Sequence, residues 1–349
     1  MNEKGIQAFA EEVRDRILDY LPSDYENAEI KLSQTKKVNR DVTNITVVPE
    51  WAGEGVVPTL HLENMYESYR QGKDMEDILE SLSETIVNAY QNLHDKPIEY
   101  ESSINEIPED KIYFQLINTE SNRDYLATVP HREFHDMSLI YRILMSKDEE
   151  GIQSIVITDD LKNNWDISED ELFELASENT KELFPPKIQT MGEVMRSFLG
   201  PEFDGFEAED MDEIMGESPL WLVSNDMGVN GASNMIYGDI LEEVAEKVND
   251  DTLVIPSSLH EILVLPASEM DPEEIAGMVK DINQNTVREE DRLSNQVFFY
   301  ERASRQLKVA FESPIKGIKD QSYQAPVQEQ SLSEHRPPAQ PTARPAFAR

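Results

Sequence analysis

The stretch Pro219–Pro266, PLWLVSNDMGVNGASNMIYGDILEEVAEKVNDDTLVIPSSLHEILVLP, decides the fold. It opens on a strand-length apolar run, Leu220 to Val223. A turn-rich segment follows, from Asn225 to Gly231. Over 233–248, Ile236, Ile240, Leu241, Val244, Ala245 and Val248 recur at the spacing of one helical face. Two further apolar runs, Leu253–Ile255 and Ile262–Leu265, flank the connector Pro256–Glu261. A strand, a helix and two strands on a short connector predict an α+β chain. We expect mixed or antiparallel sheets with helices packed on one face.

The same reading extends outward in both directions. Downstream, Asp271-Pro272 predicts a helix start, because a carboxylate caps it and proline gives up an amide that has no partner there. Ile275, Met278, Val279 and Ile282 line its inner side. Residues 295–300 and 306–311 predict a hairpin. Upstream, strands are predicted over 111–117, 137–145 and 153–158, with 123–129 as hairpin partner of the first. Ser168 and Glu171 have capping-box spacing, which starts a helix that runs to Leu183. Residues 187–199 are mixed, with a helical reading available. Toward the N-terminus, Ile6, Phe9, Val13, Ile17 and Leu21 predict a surface helix. Strands follow over 27–33, 43–49 and 57–62, then helices over 63–70 and 74–93. Proline-bounded polar chain between Pro97 and Pro108 predicts a boundary. The expected organisation is an N-terminal lobe (1–108), a C-terminal lobe (109–312) and a disordered tail (313–349), where proline, serine and glutamine replace apolar residues.

The chain carries 70 acidic and 31 basic residues, a formal charge of −39. The tail holds five bases against three acids, so residues 1–312 carry −41. Such a body repels phosphates and anionic lipid, whose recognition needs a basic footprint. No Lys/Arg stripe interleaves with aromatics, so neither direct nucleic-acid binding nor membrane binding is expected. There is no cysteine, which excludes disulfides, thiolate metal sites and cysteine nucleophiles. The first residues lack the apolar run of a signal peptide and no window reaches membrane-spanning length, so a cytoplasmic setting is the expectation.

Few residues offer chemistry. His131 and His135 stand four apart, the spacing of a metal pair on a helix. The zinc-protease motif needs glutamate directly after the first histidine, and here that position is Arg132. Pro130 and the flanking strands favour a turn, so no metal and no cofactor is expected. Ser257, Ser258, His260 and Glu261 gather in the 256–261 connector, with Asn230 in the preceding turn. Members of a Ser–His–acid relay normally come from separate segments. The connector is read as structural, yet it is the place where an enzyme site would be sought. Gly228–Ser233 precedes a helix, where phosphate can sit on amides, but it lacks the phosphate-loop lysine. The acidic run 202–217 lacks the donor spacing of a calcium loop.

Five stretches carry a family resemblance: Leu220–Asn225, Val229–Ser233, Ile255–Pro266, Val279–Val287 and Leu293–Tyr300. Over about residues 5–312 the chain resembles domain-of-unknown-function family 5688, a bacterial family seen mainly in Firmicutes and often near mobile-element genes. The resemblance implies a bacterial cytoplasmic setting and assigns no catalytic residue. Three functions compete. A non-catalytic acidic binding or accessory protein would take a basic protein as partner. An enzyme would use an unfamiliar site around 256–261. An inhibitor that mimics nucleic acid would need carboxylates spaced like phosphates.

Overall fold

The structure, a computed structural model, describes residues 3–52, 57–95, 106–148, 151–199 and 220–311. The 313–349 tail, the acidic run 202–217 and most of the 97–108 boundary lie outside the described residues. Every strand pairing among the described residues is antiparallel.

The N-terminal part builds a core of its own. Helix α1 (Glu3–Arg16) buries Ile6, Phe9 and Val13, one face at three- and four-residue spacing. The hairpin β1 (Glu29–Lys37) and β2 (Arg40–Val48) joins β3 (Thr59–His61) in a three-stranded sheet ordered β1-β2-β3. Helices α2 (Glu63–Arg70) and α3 (Met75–Asp95) follow. Ile78, Leu79, Leu82 and Ile86 of α3 meet Ile45 and Val47 of β2 in one apolar cluster. Each fully buried side chain of this kind stabilises by about 1.5–3 kcal/mol before entropy is counted.

The hairpin runs further than its apolar alternation suggests. Its polar outer half, Ser33 to Lys37, pairs with 40–44 and carries the turn at Val38-Asn39 onto the rest of the molecule. Val38 packs on the second core. The Asn39 amide hydrogen-bonds Asn122 Oδ1 at 2.6 Å, and its side-chain Nδ2 donates to the carbonyls of Glu290 and Arg292 at 3.0 and 2.8 Å.

The remaining chain forms two sheets around a larger core. β4 (Ile112–Asn118), β5 (His131–Phe134), β6 (Met137–Asp148) and β7 (Gly151–Val156) make a four-stranded sheet with β6 central. The partner of β4 is β6, not 123–129. Asn118 overrides that expectation. Its Oδ1 accepts the Ser121 amide and its carbonyl accepts Asn122 Nδ2, which curls the chain into the short helix α4 (Arg123–Leu126). After α5 (Asp159–Asn164), the Ser168–Glu171 capping box is present and starts α6 (Glu169–Leu183). Residues 187–199 divide into β8 (Pro186–Thr190) and α7 (Met191–Leu199).

The largest sheet adds β9 (Trp221–Asn225), β10 (Thr252–Ile255), β11 (Ile262–Pro266), β12 (Val297–Glu301) and β13 (Gln306–Phe311). Its order is β13-β12-β10-β11-β9-β8. A 3₁₀ turn (Gly231–Ile236) precedes α8 (Gly238–Val248), and α9 (Pro272–Asn285) starts on the Asp271 cap. Strand alternation sends Val254 into the main core with Ile240, Leu241 and Val244 of α8. Leu253 and Ile255 face the other way, onto Ile275 and Val279 of α9. Among the described residues no helix is long and apolar enough to cross a membrane.

Candidate functional site

Four segments meet beside the hairpin tip at Asn39: the end of β4, the β5–β6 turn, the end of α9, and the connection 289–296 that leads into β12. They enclose a cleft of about 940 Å³, within the range of ligand sites. Its wall is rich in uncharged amides, Asn39, Asn118, Asn283, Gln284, Asn295 and Gln296.

The floor is organised by Ser294, which is 3% exposed. Its hydroxyl donates to Asp136 Oδ2 at 2.7 Å and accepts the Gln296 amide at 2.9 Å. Its carbonyl accepts Asn283 Nδ2 at 2.9 Å. One residue thus ties together a carboxylate, the Asn283 side-chain amide and the Gln296 backbone amide. The other oxygens of that set have no donor: Asp136 Oδ1, Asn283 Oδ1 and Gln296 Oε1 are sealed from solvent and make no hydrogen bond. The Asn283 orientation is fixed, since its Nδ2 faces two acceptors, the Ser294 carbonyl and Asn295 Oδ1. Burial dominates at Asp136 and pushes its carboxyl up to about 6, against the downward pull of the Ser294 hydrogen bond.

The β5–β6 turn places Asp136. His135 takes the left-handed conformation, φ 58°, so the chain reverses within two residues between Phe134 and Met137. His131 and His135 both line the cleft. His131 Nδ1 lies 3.0 Å from the Val129 carbonyl. They share a side through strand geometry and a turn, not through a helix. Among the described residues no group of three or more His, Asp or Glu side chains could hold a metal ion.

The 256–261 connector lies behind this floor. Ser257 and Ser258 are buried. The Ser257 and Pro256 carbonyls accept the amides of Leu293 and Ser294, and the Leu259 amide donates to the Asp291 carbonyl. Ser258 Oγ accepts the His260 amide at 2.9 Å. His260 Nδ1 accepts the Asn230 amide at 3.3 Å, which leaves Nε2 as the donor to Asp291 Oδ1 at 3.1 Å. Both ring nitrogens are engaged, so neither has a lone pair to take a proton from a serine. Glu261 is half-buried at the head of β11. The connector therefore clamps residues 291–294, and through them positions Ser294.

Sequence reasoning reached His131, His135 and the connector but not the assembly. Asp136, Asn283, Ser294 and Gln296 are ordinary polar residues singly, and only the tertiary fold joins them.

Fold and cleft together define an acidic α+β protein, with three antiparallel sheets among the described residues and an amide-lined cleft beside the docked hairpin tip. A family model described as a family of unknown function (DUF5688) matches residues 6–302, and the chain belongs to that family. No curated protein and no solved structure matches the chain.

Proposed function

We propose that this chain is a non-catalytic, cytoplasmic binding protein whose partner is a basic protein. The observation that carries the reading is the charge imbalance, 70 acidic against 31 basic residues. The formal charge of −39 adds long-range attraction for the same class of partner.

A catalytic reading has one point in its favour, the Ser294 hydroxyl on the Asp136 carboxylate at 2.7 Å. Its oxygen also accepts the Gln296 amide and it is almost fully enclosed. That geometry favours holding over attack.

Affinity capture from a lysate of the source cells, with the full chain as bait, tests the proposal. A stoichiometric basic protein released by rising salt is expected, because exposed charge pairs are screened. Recovery of no partner under gentle, low-salt washing, or recovery of nucleic acid, refutes it.

A further inference from the structure

We infer that the exposed flank of α9 is a docking surface for a segment of the same chain, Ile315-Lys316-Gly317-Ile318-Lys319, which follows β13. Periodicity puts Ile275, Met278, Val279 and Ile282 together on the inner side of α9, and the structure corrects two of the four. Ile275, Ala276, Val279 and Asn283 turn inward and are buried. Met278 and Ile282 fall one turn apart on the flank of that face and are 58% and 45% exposed. Six large apolar side chains among the described residues are exposed, and these are the only two that share an element.

The flank is charged as well as apolar. Glu274, four residues before Met278, and Asp281, beside Ile282, are exposed on the same side of the helix. Asp281 Oδ1 accepts Asn285 Nδ2 at 3.1 Å. Gly277 leaves the surface low next to Met278, since a Cβ there would meet nothing within 4 Å. Residues 315–319 offer the complement, two isoleucines and two lysines in five positions. No other stretch of 313–349 sets two Ile, Leu or Val residues within four positions.

The topology delivers that segment to the flank. β13 ends at Phe311, which pairs with Val297. Val297 shares an apolar cluster with Ile275 and Val279 of α9, and Ala310 packs against it. The residues just before Val297 hold the end of the helix, because Asn283 Nδ2 donates to the Ser294 carbonyl and to Asn295 Oδ1, both at 2.9 Å. The chain therefore leaves β13 beside the C-terminal half of α9, where Ile282 is exposed. Extended chain from Phe311 to Ile315 reaches about 13–14 Å, more than the width of a helix, about 10–12 Å. So short a spacer keeps the contact intramolecular, at high effective concentration. A second copy seated there would set acidic flank against acidic flank in a chain of charge −39, which disfavours it.

Peroxide oxidation of the methionines in the purified full chain, followed residue by residue by mass spectrometry, tests the inference. Met145 and Met195, 40% and 39% exposed, serve as gauges in the same molecule. Uncovered, Met278 is the most exposed of the three and reacts at least as fast as they do. With the segment seated in about nine molecules of ten, Met278 should react about tenfold more slowly than that. Ile315→Ser with Ile318→Ser should restore the full rate at Met278 and leave Met145 and Met195 unchanged. Lys316→Glu with Lys319→Glu, which reads the charge half of the contact, should raise the Met278 rate in the same direction. Both pairs lie beyond β13, so the melting temperature should hold.

Met278 reacting as fast as Met145 and Met195 in the wild type overturns the inference. So does protection that grows with protein concentration, the mark of a second copy. Protection untouched by either double substitution, or acceleration at all three methionines alike, which reports a loosened fold, also overturns it. The measurement is made on the chain alone, so it stands or falls apart from the basic-partner reading.

Discussion

Asp136 is a residue whose burial opposes its charge. Its carboxyl rises from 3.8 to about 6 in the folded chain. Between those values the folded state holds a proton that the unfolded state has released, so stability falls as pH rises through the window. Above pH 6 the ionised group costs on the order of 2–3 kcal/mol. Asp136→Asn should therefore gain about 1–2 kcal/mol at pH 7.5 and nothing at pH 4, measured by urea unfolding at both pH values. A variant less stable than wild type at pH 7.5 contradicts the account. Ser294→Ala acts in the opposite sense. It removes the donor to Asp136 Oδ2 and the acceptor of the Gln296 amide, so a loss of about 1–3 kcal/mol is expected, with the Asp136 carboxyl rising further, as a pH titration of its carbon signal would show. None of this is legible in the sequence. The His131–His135 stretch reads as a turn, yet His131–Phe134 is strand β5 and only His135-Asp136 turns, and neither reading says which distant serine the Asp136 carboxylate will meet.

Among the elements, legibility follows local physics. The α6 capping box and the Asp271 cap of α9 were readable because both partners lie within one turn of helix. The segment 123–129 misled because alternation there is overruled by Asn118 and its hydrogen bonds. The helix expected from 233 starts at Gly238, and the residues before it form a 3₁₀ turn with all six residues buried. Tight packing against β9 and the connector explains the switch. A Cβ on Gly231 would stand 2.5 Å from the His260 carbonyl oxygen and 2.7 Å from Ser224 Cα. Both are backbone atoms, which cannot yield as a side-chain tip can. Gly231→Ala should cost about 1–3 kcal/mol or more by overpacking, read as a lowered urea midpoint, and should loosen the clamp on 291–294. Unchanged stability and unchanged amide exchange at 291–294 would show that this turn does not hold the connector.

At the scale of the molecule, the two largest apolar cores among the described residues are joined through a polar hairpin tip. A proline-rich boundary suggests lobes in the sequence, but a tip that docks back onto the second core has no sequence signature, since the predicted strand stops at Ser33 and Gln34 to Lys37 carry no apolar residue. Asn39 holds the contact. It is left-handed, φ 62°, and its side chain gives two hydrogen bonds to the 290–292 backbone and takes one from Asn122 Nδ2 at 2.7 Å. Asn39→Gly keeps that backbone conformation open, since glycine enters it without a Cβ penalty, and deletes only the side-chain bonds. At about 0.5–1.5 kcal/mol each, their loss should free the hairpin tip from the second core more than it unfolds either core. Hydrogen exchange should then quicken over 29–48, while 112–118 in the second core keeps its protection. Slowed or unaltered exchange over 29–48 would mean that the α1–α3 core alone holds the hairpin in place.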